Sequence, residues 1–188
     1  YKGFNESMSV ESCIHSFFGT SKLSADLLVQ EYGRNFGLKT VSFRAGCLTG
    51  PAHMGAELHG FLSYLVKTII KNKPYEIFGY KGKQVRDNLH SSDLVKAFWE
   101  FYKKPSCGVV YNIGGSRKSN CSILEAVALI EKFSGIKAKL KYNKHHRTGD
   151  HIWWISDNSK FMRDFPNWKI KYDIKKIIKE MILFHDFR

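Results

Sequence analysis

Several absences narrow the reading before any single residue is weighed. None of the four cysteines, Cys13, Cys47, Cys107 and Cys121, forms a C-x-x-C pair, and their wide spacing argues against both a zinc site and a disulfide framework. The default compartment is then the cytoplasm. No apolar run approaches the about 20 residues of a bilayer span; the longest, Phe61 to Ile70, is interrupted by Lys67. Acidic residues are scarce, 17 against 30 Lys and Arg, which sets a formal charge of +13 and a pI of about 9.6. A charge of that sign suits phosphate contacts and counterion release on a nucleic acid. Yet there is no arginine-rich arm and no basic strip interleaved with aromatics; lysines near 67–73 and 175–179 decorate helix faces. A basic nucleic-acid-binding module is therefore the weakest of the readings kept, and neither nucleic acid nor membrane is an expected partner. The amino terminus, Tyr1 to Glu6, has neither an initiator Met nor the basic-then-apolar order of a secretory signal, for which a fragment is the simplest explanation. No internal repeat or low-complexity segment is evident.

What is present is enough chain, 188 residues, to bury a core. Leu23, Leu27, Leu28, Tyr32 and Phe36 recur at helical spacing over 18–36, and Gly37 supplies the stop. Residues 39–44 read as a strand, 46–51 as a tight turn punctuated by Gly46, Gly50 and Pro51, and 58–71 as an amphipathic helix. Strands are expected at 75–78, 85–89, 109–113 and 138–142, and helices at 94–102, 123–133 and 173–185. Ser122-Ile123-Leu124-Glu125 is a capping-box signature ahead of the second of these helices, and Gly135 closes it. Alternation at this spacing predicts an α/β layer structure.

The densest chemical signal is Gly79 to Asp93. Gly79 and Gly82 permit a sharp turn, which delivers Arg86 onto a short extended segment; Asp93 or Ser92 is placed to cap the helix that follows. A guanidinium held between two elements can grip a phosphate or carboxylate through two parallel hydrogen bonds. The plainer alternative is a surface salt bridge to Asp87 or Asp93. His145, His146, Asp150 and His151 share no helix face that would suggest a metal, so none is expected. Trp153, Trp154 and Trp168 read as core or junction residues.

Five blocks in order carry a resemblance: Phe18-Gly19-Thr20-Ser21-Lys22, Phe43-Arg44 with Gly50-Pro51, the Gly79 to Asp93 loop, Tyr111-Asn112-Ile113-Gly114-Gly115, and Arg147-Thr148-Gly149-Asp150. Together the chain resembles the extended short-chain dehydrogenase/reductases, the NAD-dependent epimerases and dehydratases of nucleotide sugars. Cys47 to Pro51, Leu58-His59-Gly60-Phe61 and Gly149 to Trp154 look most similar to the branch that epimerises CDP-sugars. The resemblance implies the last part of a doubly wound Rossmann-like parallel sheet plus a smaller α/β substrate-binding domain. Residues 1–188 would form the carboxy-terminal part of such a protein, with substrate-binding elements mainly in 52–108 and 138–188. The G-x-x-G-x-x-G turn that cradles the NAD pyrophosphate is absent from the chain and in the family precedes these blocks.

The same resemblance assigns roles. Lys22 would hydrogen-bond the nicotinamide ribose of NAD and lower the pKa of a tyrosine four residues earlier; that position is Phe18, which exchanges no proton. Either His15, Cys47 or His59 then substitutes, or the protein binds without reacting. Ala45, Cys47 and Leu48 would belong to the backbone that meets the nicotinamide, though a small buried side chain is the favoured reading of Cys47. Arg86 and Arg147 would clamp a sugar-nucleotide diphosphate, with Asp150 beside the second, and His59 and Tyr80 would line the sugar or base. A CDP-sugar is the favoured partner, and a homo-oligomer is expected of the full-length protein.

Overall fold

The computed structural model describes residues 3–10, 14–57, 59–147 and 149–186; Cys13, Leu58 and Thr148 of the motifs above lie outside the described residues. Helix α1 (Phe17–Phe36) begins where Ser16 Oγ accepts the Gly19 N–H at 3.1 Å, and it ends at Gly37, in the left-handed region at φ 66°. The apolar stripe that marks it faces outward, with Leu27, Leu28, Tyr32 and Phe36 all exposed. The packed side instead carries Gln30 and Gly33. An added Cβ at Gly33 would lie 2.1 Å from the Gly108 backbone nitrogen, so glycine is what lets the helix approach that closely.

Strand β1 (Val41–Ala45) pairs in parallel with β5 (Val109–Ile113), setting Phe43 opposite Tyr111. The sequence suggests only a turn after β1. The chain in fact steps sideways at Gly46 and forms a second strand, β2 (Cys47–Thr49), parallel to β4 (Val85–His90). Gly46 makes the step possible because a Cβ there would sit 2.2 Å from Asp87 Oδ1. Strand β4 also takes β6 (Asn120–Ser122) antiparallel and β8 (Trp153–Trp154) parallel, and β3 (Pro74–Phe78) pairs with β7 (Lys139–Asn143). The result is the mixed α/β arrangement, dominated by parallel pairs, that the alternation of elements predicts.

Two apolar clusters hold these sheets. One gathers Leu65, Val66 and Ile69 of α2 (Phe61–Ile70), Ile77 of β3, Ala126 and Ile130 of α4 (Ile123–Ser134), and Ile177, Ile178 and Met181 of α6 (Ile174–Asp186). The other packs Leu89, Tyr111 and Ile113 against Ala97 and Phe101 of α3 (Ser91–Lys103) and against Phe161, Phe165 and Trp168 around α5 (Ser159–Asp164). Each large side chain so buried contributes about 1.5–3 kcal/mol. The capping box forms as expected: the Glu125 N–H donates to Ser122 Oγ at 3.2 Å, and the Ser122 N–H donates to Glu125 Oε2 at 2.7 Å. The start of α3 differs from expectation. His90 Nδ1, not Ser92 or Asp93, accepts the Ser92 N–H at 3.1 Å. Asp93 is fully buried, because its carboxylate takes the Lys171 and Tyr172 N–H groups at 2.8 and 3.0 Å and so ties α3 to the segment before α6.

Candidate functional site

A cavity of about 830 Å³ runs along β1, from Val41 to Ala45, and on past its carboxyl end to Gly46, Cys47 and Leu48, where open α/β sheets bind their ligands. Three sources build its wall. Helix α1 supplies Lys22 and Asp26, the β1 to β2 step supplies Arg44, Ala45, Cys47 and Leu48, and the remainder includes His53, His59, Arg86, Arg147 and Asp150. The two arginines expected to converge therefore face one cavity.

Arg86 is held by more than its strand. Nη2 pairs with Asp150 Oδ1 at 2.6 Å and donates to the His151 carbonyl, while Nη1 donates to the Val85 carbonyl at 2.8 Å. The alternative partners Asp87 and Asp93 are thereby replaced by Asp150. Both side chains of this pair are largely withdrawn from water, at 14% and 10% exposure, so the pair is oriented rather than loosely screened. Arg147 has no carboxylate within ion-pair distance among the described residues and adds a second guanidinium to the same space. On the opposite wall, Arg44 Nε and Nη2 both donate to Asp26 Oδ2, at 3.0 and 2.6 Å, which fixes α1 to β1.

Behind the Gly46 part of the wall lies Asp87, which does not itself line the cavity. Its fully buried Oδ2 accepts the Ser116 and Ser156 N–H groups, each at 2.9 Å, and its carboxylate abuts both Gly46 and Gly114. Burial raises the Asp87 pKa against the opposing effect of those hydrogen bonds. Burial, reinforced by the nearby Asp87, also pushes the Cys47 thiol up to about 12, so at neutral pH it is a protonated, small wall residue. The His53 pKa is lowered, first by burial and then by His59, while burial and then Arg86 lower that of His151.

Of the residues singled out in the sequence, Lys22, Ala45, Cys47, Leu48, His59, Arg86, Arg147 and Asp150 all line the cavity. His15, Phe18 and Tyr80 do not. Phe18 is 65% exposed, with the Lys22 ammonium 5.5 Å from its ring centre; His15 Nε2 lies 2.5 Å from the Val10 carbonyl; and Tyr80 packs on the His146 ring at 5.3 Å. Sequence reasoning did not single out Asp26 or His53. The Asp26 partnership crosses from helix to strand and leaves no local pattern. His53 had one available signal, an ionisable ring two residues beyond Gly50-Pro51 at the end of a strand. Among the described residues no group of three or more His, Cys, Asp or Glu side chains is arranged to hold a metal ion, and no helix is long and apolar enough to cross a membrane.

Comparison with known proteins gives this geometry a context. A family model described as the NAD dependent epimerase/dehydratase family matches residues 5–114. The chain is 30% identical over 186 residues to CDP-paratose 2-epimerase of Salmonella typhi, covering 95% of this chain and 54% of that protein. It is 28% identical over 179 residues to UDP-glucuronate 4-epimerase of Thermodesulfobacterium geofontis, covering 95% of this chain and 53% of the relative. The chain thus spans about half the length of these curated relatives. UDP-glucuronic acid 4-epimerase of Bacillus cereus, solved with UDP-glucuronic acid and NAD, superposes with a TM-score of 0.78 at 25% identity, over 99% of this chain and 59% of that one. For dTDP-glucose 4,6-dehydratase of Bacillus anthracis, solved with NAD, the TM-score is 0.79 over 100% of this chain and 58% of the other; at 22% identity it shows the fold alone.

Proposed function

The chain belongs to the NAD-dependent epimerase/dehydratase family, and from that premise we propose that it is part of an NAD-dependent nucleotide-sugar epimerase, with a CDP-sugar as the favoured substrate. The observation that carries this reading is the meeting of Arg86 and Arg147 at one cavity. A sugar-nucleotide diphosphate brings at least two negative charges, and holding it in a partly dry cleft requires fixed cations. Arg86 arrives oriented by Asp150 and two carbonyls; Arg147 arrives without an ion pair among the described residues.

NAD is the cofactor of this family, and bound NAD would supply a reversible hydride acceptor. The residues present fit its nicotinamide end. Ala45 and Gly46 carry little or no side chain, and Asp87 packed behind Gly46 leaves no room for one, so backbone forms that wall. Lys22 would hold the ribose, with Ala45, Cys47 and Leu48 beside the ring. The diphosphate falls to Arg86 and Arg147, Asp150 keeps Arg86 aimed, and His59 lines the sugar. Removing a hydroxyl proton and later restoring it lets the sugar carbon invert without a net oxidant.

A second reading is favoured by one observation, Phe18, which has no exchangeable proton and is turned away from the cavity. On that reading the protein binds nucleotide sugar and NAD without reaction. Adding CDP-sugars to the full-length protein loaded with NAD separates the two. Absorbance appearing at the reduced nicotinamide band supports the epimerase; binding with no absorbance change across several sugars supports the silent binder.

A further inference from the structure

Few groups around the cavity can exchange a proton near neutral pH. Asp26 is tied to Arg44 and Asp150 to Arg86, Lys22 and Arg147 serve as cations, and the Cys47 thiol keeps its proton. Two imidazoles are left, His53 and His59, with ring centres 6.4 Å apart and planes at 88°.

His53 is the more firmly built of the two. Its N–H donates to the Gly50 carbonyl at 3.1 Å, and its own carbonyl accepts from the Gly55 N–H at 3.0 Å and from Ser63 Oγ. The ring lies against Gly60, where a Cβ would sit 2.5 Å from His53 Cε1; Gly60 also has φ +74°, so both space and backbone call for glycine there. His53 Nδ1 is shut off from solvent and has no hydrogen-bond partner among the described residues. The other ring nitrogen, Nε2, is not shut off in this way, and because His53 lines the cavity it is the nitrogen a hydroxyl entering there would meet. The titratable group facing His53 is His59, from the same loop; Gly60 and Ser63, which pack on it from the start of α2, are uncharged.

We propose that His53, with His59 beside it, is the proton-exchanging residue of this site and performs the step that Phe18 cannot. The inference rests on the epimerase reading above. In the forward step the sugar O–H bond breaks and its proton passes to an imidazole nitrogen of His53. The C–H bond of the same carbon breaks with its electron pair leaving as hydride to the nicotinamide dinucleotide, the two-electron oxidant, and a C=O bond forms. In the return step the hydride comes back to the other face of the carbon and His53 gives the proton back to oxygen, so the sum is an inversion. The pKa lowered by burial keeps the ring neutral and able to accept at pH 7.

The test is His53→Gln in the full-length protein, which keeps a polar side chain but cannot exchange a proton. With a CDP-sugar as probe, the dissociation constant should stay within about threefold of wild type, while reduction of bound NAD slows by roughly 10²- to 10⁴-fold, as expected for loss of a general base. Wild type should lose rate as pH falls below about 6.5, the ordinary histidine value, and the variant should show no such limb. A readout independent of turnover is the NMR titration of the His53 ring, whose midpoint should lie below that ordinary value and move when the CDP-sugar binds. Reduction in His53→Gln at the wild-type rate with the same pH profile overturns the proposal and leaves the epimerase reading standing. Wild type that binds but reduces no NAD with any sugar overturns both. Should the variant fail to fold, the ring titration decides: a His53 ring indifferent to bound sugar overturns the assignment.

Discussion

Replacing Asp87 by alanine should weaken the fold behind the cavity wall. The carboxylate is fully buried, and its Oδ2 is the acceptor for the Ser116 and Ser156 N–H groups, the second in a residue that is itself fully buried. Hydrogen bonds to a charged acceptor are worth about 1.5–3 kcal/mol each, which gives about 3–6 kcal/mol for two. Against this stands the relief of not burying a carboxylate, the cause of its raised pKa, so a net loss of about 2–4 kcal/mol is expected. Asp87→Asn keeps one oxygen for both donors and removes the charge, and it should cost less than the alanine. The pH dependence follows from the raised folded-state pKa. The folded protein binds this proton more tightly than the unfolded chain, whose carboxyl titrates near 3.8. The resulting stability is therefore complete below that value and is lost as pH rises through the folded-state value. Denaturant unfolding of wild type and both variants between pH 4 and 8 measures this, and Asp87→Asn should gain on wild type as pH rises. If Asp87→Ala unfolds within 0.5 kcal/mol of wild type, or the gap to Asp87→Asn is flat with pH, the reasoning is wrong.

Two further outcomes follow from close packing and burial. Gly33→Ala places a methyl 2.1 Å from the Gly108 nitrogen, so α1 must move off β5; a loss of about 1–3 kcal/mol is expected by thermal or denaturant unfolding, and a neutral effect would contradict the packing described. Cys47, its thiol held up to about 12 by burial and Asp87, should resist iodoacetamide at pH 8 in the folded protein and react readily once unfolded; fast alkylation of the native thiol would show that the cavity wall is open.

Local chemistry made much of this fold legible in the sequence. The glycine stops at Gly37 and Gly135, the Ser122 to Glu125 capping box and the α/β alternation are short-range devices, and each is found in place. Where a contact is decided by distant residues, the sequence carries no pattern. Strand β6 exists because β4 offers it an edge at Val85 to Asp87; His90 caps α3 because Asp93 is drawn away by Lys171 and Tyr172; α5 is too short to show a helical period. The site divides the same way. Arg86 and Arg147 stood out by residue type and order, whereas the Arg86 pairing with Asp150, the Asp26 clamp on Arg44 and the seating of His53 on Gly60 come from folding.

The most direct test of the proposed function is calorimetric titration of a CDP-sugar into full-length wild type, Arg86→Ala, Arg147→Ala and the double variant. Loss of one charge-assisted contact of about 1.5–3 kcal/mol should weaken binding roughly ten- to a hundred-fold for each single variant, with a further loss when both are removed. Affinity unchanged in both single variants, with the fold intact by circular dichroism, would contradict the diphosphate clamp.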